Sequence, residues 1–83
     1  MAILHTSLSV VLARFPEHMD KIKHLFRQNS IFKAQCEDYL QCSKALKYWS
    51  RSTSEEAPAR REEYGTLLED LTQEILQTLD VCS

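Results

Sequence analysis

Residues 22–49, IKHLFRQNSIFKAQCEDYLQCSKALKYW, carry a seven-residue rhythm in which Ile22, Asn29, Cys36 and Ser43 share one position while Leu25, Phe32, Tyr39 and Leu46 share another. Apolar residues that recur with this 3-4 spacing lie along one side of an α-helix. Phe26, Leu40, Cys42 and Trp49 flank the same side. An apolar strip this wide, with one row entirely large and the other half polar, predicts a helix buried in a bundle rather than half of a two-stranded zipper.

Asn29 interrupts the rhythm and has two readings. In a continuous helix it is a buried polar residue that sets register at some cost in stability. Alternatively Gln28-Asn29-Ser30 is a joint at 28–30, with Asn29 or Ser30 capping a new helix from Ile31. The joint is the preferred reading.

Outward from this segment the same periodicity continues. Leu4, Leu8, Val11, Leu12 and Phe15 draw one stripe, which predicts a short helix over 4–14. Pro16 ends it and suits the first position of the next helix, with Glu17 favourable at the positive end of the helix dipole. That arm is expected over 16–50. Residues 50–57 are polar, and Thr53 and Glu56 have the spacing of a capping box, so the turn is expected over 51–57. Tyr64, Leu67, Leu68, Leu71, Ile75 and Leu79 then predict a second arm over 58–80. Gly65 falls inside it and costs about 1 kcal/mol relative to Ala. Either two helices approach closely there, or one short helix stops before Thr66 and Glu69 cap another; close approach is the preferred explanation.

A single Gly and two Pro are too few turn residues for a chain of short strands. The expected fold is all-α: one domain over 1–83, a helical hairpin of two long antiparallel helices with a short N-terminal helix. Seam burial in a lone hairpin does not offset the entropy of ordering it. An open hairpin also leaves one side of the seam uncovered, which predicts a coiled-coil-like bundle on association, a dimer before any larger homo-oligomer, or docking of a helical partner. The expected interface is Ile22, Leu25, Phe26, Asn29, Phe32, Cys36, Tyr39, Leu46, Trp49, Tyr64, Leu68, Leu71 and Ile75.

Charge is unevenly spread: residues 14–51 carry +4 and residues 52–83 carry −6, within a net charge of −2. Helices of opposite sign attract when laid side by side, although exposed pairs contribute only ~0.2–1 kcal/mol each. Intramolecular complementarity explains this asymmetry better than a nucleic-acid surface, which favours an overall basic domain. The alternative reading places nucleic acid on Lys21, Lys23, Arg27, Lys44 and Lys47, with Tyr48 and Trp49 as stacking aromatics.

No constellation points to catalysis. Of the general-base candidates His5, His18 and His24, the last two fall on different helical faces, and all three read as solvated helix histidines. The acidic pairs Glu55-Glu56 and Glu62-Glu63 lack the ExxH spacing of a helical metal site, and one glycine cannot build a phosphate loop. Cysteines 36, 42 and 82 are odd in number without a CxxC pair, so neither a disulfide framework nor zinc is expected. Cys36 and Cys42 fit the seam as small apolar fillers. Reduced thiols, with no signal peptide or transmembrane span, predict a cytoplasmic protein without metal or cofactor.

From Phe15 to Tyr39 the sequence reads F-P-E-x-x-D-x-I-x-x-L-x-x-x-N-x-x-F-x-x-x-x-x-x-Y. That pattern resembles the YdcH-like proteins, short bacterial helical hairpins of unknown function. His5 and Leu8 are similar to the family's leader, whereas Leu67 to Ile75 departs from its basic, leucine-rich second arm. What the resemblance implies is a self-associating hairpin without an assigned activity.

Overall fold

The structure is a computed structural model that describes residues 7–81. Leu4, His5 and Cys82 lie outside the described residues. The described residues form four α-helices and no strand: α1 (Ser7–Arg14), a 3-10 turn (Pro16–His18), α2 (Met19–Gln28), α3 (Ser30–Arg51) and α4 (Ala57–Val81). The all-α class expected from the sequence is what the chain adopts.

Each break has a local cause. Phe15 precedes proline, which disfavours the α conformation, and it sits at φ −125°, ψ 66°. Its N–H still closes α1 on the Val11 carbonyl at 3.0 Å. The expected second helix therefore begins with a 3-10 turn from Pro16 and becomes α-helical only at Met19.

Asn29 resolves the two readings in favour of the joint. It is extended at φ −127°, ψ 109°, and its N–H donates to the Leu25 carbonyl at 2.8 Å, finishing α2. Its Oδ1 accepts from the N–H groups of Ile31 at 2.9 Å and Phe32 at 3.0 Å, starting α3. One side chain thus satisfies two of the donors that a helix start leaves unpaired. The arm expected over 16–50 is two helices.

The turn between α3 and α4 uses different hydroxyls from those expected. Ser52 Oγ accepts from Ser54 N–H and Ser54 Oγ from Glu56 N–H, each at 3.1 Å. The Thr53–Glu56 capping box needs a helix beginning at Ser54. Residues 54–56 are instead bend and turn, and α4 starts only at Ala57, next to Pro58.

α3 packs against each of the other three helices. It runs opposite to α4: Thr78 Oγ1 donates to Gln35 Oε1 at 3.1 Å near one end, and Arg61 Nη1 donates to the Trp49 carbonyl at 3.4 Å near the other. The core joins Val11 and Phe15 to Ile22 and Leu25 of α2, to Phe32, Cys36, Tyr39 and Cys42 of α3, and to Leu71, Ile75 and Leu79 of α4. One side of the seam, expected to stand open, is therefore covered within the chain by α1 and α2. Lys21 of α2 ties this cover to α4 by donating from Nζ to the Leu79 carbonyl at 2.9 Å, a cation at the negative end of a helix.

Arg60 pairs with Glu63 (3.0 Å) and Glu56 (3.7 Å) within α4. One expectation needs correction. Gly65 neither ends a helix nor marks a close approach: α4 runs through it, and a Cβ built there meets nothing within 4 Å. Gly65→Ala is accordingly expected to stabilise the chain by about 0.5–1 kcal/mol, by lowering unfolded-state entropy and raising helix propensity. Thermal unfolding followed by circular dichroism checks this; a lowered Tm would mean that the site has no room for a methyl group.

Candidate interaction surface

The expected interface residues divide into two groups. Ile22, Leu25, Phe32, Cys36, Tyr39, Leu71 and Ile75 are buried in the chain's own core. Phe26, Tyr64 and Leu68 are half-buried against it, and Asn29, Leu46 and Trp49 are half-buried elsewhere on the chain. The first group is spent on folding the chain, which turns attention to apolar side chains left outside.

Those lie on the other flank of the α3/α4 pair. Asp38, Gln41, Cys42 and Ala45 of α3 face Tyr64, Leu67 and Leu71 of α4 across an open groove of about 370 Å³. Leu67 remains 45% exposed and Ile31, further along α3, 71%. The groove floor is pinned by Cys42, whose Sγ donates to the Tyr64 carbonyl at 3.3 Å. On the opposite flank of α4 a separate depression brings Arg14 near Gly65, Glu69 and Thr72. Ile31, Ala45 and the exposure of Leu67 were missed by the reading of the core rhythm. Ile31, Asp38 and Ala45 share a seven-residue spacing on α3 that is offset from the core rhythm, and Leu67 shares one on α4 with Arg60 and Glu74; these are the signals that could have found them.

Burial pushes the Cys36 thiol up to about 12, with the Glu37 carboxylate adding to the effect, and burial alone raises Cys42. Neither offers a thiolate nucleophile near neutral pH. Because the folded chain holds these protons more tightly than the unfolded chain, the contribution is present at low pH and is lost as pH rises above about 9. Stability is expected to fall progressively from there toward pH 12, with less of a fall in Cys36→Ala; urea unfolding at stepped pH measures it, and an unchanged slope in that variant would exclude Cys36 as the source.

The five basic residues of the nucleic-acid reading are not gathered. Lys21 is engaged at the end of α4. Lys23 and Arg27 lie on α2, whereas Lys44 and Lys47 sit some 20 Å along α3 from its start, at ~1.5 Å per residue. Lys44 and Lys47 do meet Tyr48, Arg51, Ser52 and Thr53 around a shallow depression of about 590 Å³. Tyr48 is exposed and stands edge-on to Trp49, with ring centroids 5.0 Å apart.

Among the described residues no group of three or more His, Cys, Asp or Glu side chains could hold a metal ion, and no helix is long and apolar enough to cross a membrane. Comparison with protein-family models, curated proteins and solved structures found no match to this chain.

Proposed function

We propose that this chain is a small, non-enzymatic helical interaction or structural protein that works through self-association or by docking a partner helix. The observation that carries the reading is the α3/α4 groove, where Leu67 stays exposed over an apolar floor after the core has been filled. Exposed apolar side chains gathered along a groove between helices are what a further helix covers. A helix added there extends the bundle, giving the coiled-coil-like arrangement of hairpin arms. Membership of the YdcH-like family and residence in a bacterial cytoplasm belong to the same proposal; the support is the Phe15–Tyr39 pattern and the reduced, buried thiols.

Self-association links stability to concentration, because anything that binds only the folded state raises Tm by mass action. Across a hundredfold concentration series under reducing conditions, Tm is expected to rise by several degrees. A Tm independent of concentration would contradict self-association.

The second reading, a nucleic-acid-associated regulator, draws on the depression formed by Lys44, Lys47 and Arg51 beside Tyr48. It predicts salt-sensitive binding of single-stranded nucleic acid that is lost when these three charges are neutralised. Binding that survives neutralisation, or none at low salt, would end it.

A further inference from the structure

Resting on the reading of the chain as an interaction module, we propose that the occupant of the α3/α4 groove is a second copy of this chain, laid antiparallel about a two-fold axis at Leu67.

Arg60, Leu67, Glu74 and Val81 recur every seven residues along α4, so they lie in one row on its surface. Ile31, Asp38 and Ala45 do the same on α3. Leu67, Asp38 and Ala45 line the same groove, so the two rows border it together. This face is separate from the core rhythm, and its large apolar members Ile31, Leu67 and Val81 are all exposed.

Charge then selects the orientation. An isologous pair meets residue by residue around its axis. With α4 antiparallel to the partner's α4 and Leu67 on the axis, positions equidistant from residue 67 face each other: Arg60 opposes the partner's Glu74, and Glu74 opposes the partner's Arg60. Both contacts join opposite charges. The guanidinium can make them without leaving its own helix's carboxylates, because of its five N–H donors one is spent on the 3.0 Å bond to Glu63 Oε1 and Nε stands 3.7 Å from Glu56. Ala45, small and close to the same level on α3, allows the partner's backbone to approach.

The other isologous arrangement, with its axis along the helices, sets Asp38 and Glu74 of one copy against the same two carboxylates of the other. Four negative charges would then meet in one patch, which disfavours that pairing. A basic amphipathic helix from another protein is the remaining occupant, and the experiment below distinguishes it.

The test measures the dimer dissociation constant of the full chain by light scattering and sedimentation, with circular dichroism reporting the fold. R60E and E74R should each weaken the dimer about tenfold, because each sets like charges opposite one another twice. Mixing the R60E protein with the E74R protein restores opposite charges at both contacts, so the mixture should dimerise as tightly as the unaltered chain. L67E should weaken the dimer about a hundredfold with its helicity intact, since Leu67 is outside the core. A dimer indifferent to these substitutions, or a mixture no tighter than its components, overturns the antiparallel geometry while leaving the interaction reading standing. A chain that stays monomeric and stable at every concentration overturns the proposal and self-association with it, leaving the groove to a foreign helix.

Discussion

Phe32→Ala is expected to cost about 3–5 kcal/mol of stability, a large part of the ~5–15 kcal/mol that holds a typical domain folded. Phe32 has no exposed surface and is the largest of the fully buried side chains. It lies at the start of α3, where Asn29 Oδ1 holds its N–H at 3.0 Å. That bond fixes the backbone from which the ring projects, so the surroundings cannot easily collapse into the space a methyl group leaves, and the unrelieved cavity adds to the lost transfer energy. Urea unfolding followed by helicity measures the loss. A cost below about 1 kcal/mol would mean that the ring is not packed in the core.

Val11→Asp addresses the cover that α1 provides. Val11 has no exposed surface and joins the core with Phe15, so a carboxylate at position 11 would be buried without a partner. The expected cost is about 3–5 kcal/mol near neutral pH, or the detachment of α1 if that is cheaper. Burial disfavours the charged form and raises the folded-state pKa above its unfolded value. The folded chain then binds the proton more tightly, so stability falls as pH rises through the unfolded value of ~3.9 and recovers on acidification. Val11→Asn carries no titrating group and serves as the reference. If the two variants show the same pH dependence and little loss, α1 does not dock on α3.

The parts of the fold legible in the sequence are those written in local periodicity and local hydrogen-bonding chemistry. Ile22 and Leu25 on α2, and Phe32, Cys36 and Tyr39 on α3, are buried as their spacing implies, because within each helix that spacing puts them on one face. Asn29 reads as a cap because a short amide side chain competes well for the N–H groups of the next turn. What the spacing does not encode is which surface a stripe covers. The stripe of Leu8, Val11, Leu12 and Phe15 is plain in the sequence, but its destination on α3 is a tertiary fact, and missing it left the seam open where the chain closes it.

Contacts between distant positions were beyond reach for the same reason. Lys21 reads as one charge in a basic segment, yet it spans 58 residues to the end of α4. Gly65 reads as a sign of close approach, but a Cβ there meets nothing within 4 Å, a tertiary fact the sequence does not carry. The groove was obscured by a stronger signal: the core rhythm dominates α3, and the weaker row of Ile31, Asp38 and Ala45 stands out only once the core residues are accounted for.

In the proposed arrangement the chain folds its own core and presents a second, unfilled face to another copy. Mass in solution, measured by light scattering with inline size exclusion under reducing conditions over a hundredfold dilution, tests this most directly. The expected result is twice the chain mass at high concentration, giving way on dilution to a monomer that keeps its helicity. A single-chain mass at every concentration, with undiminished helicity, would contradict it.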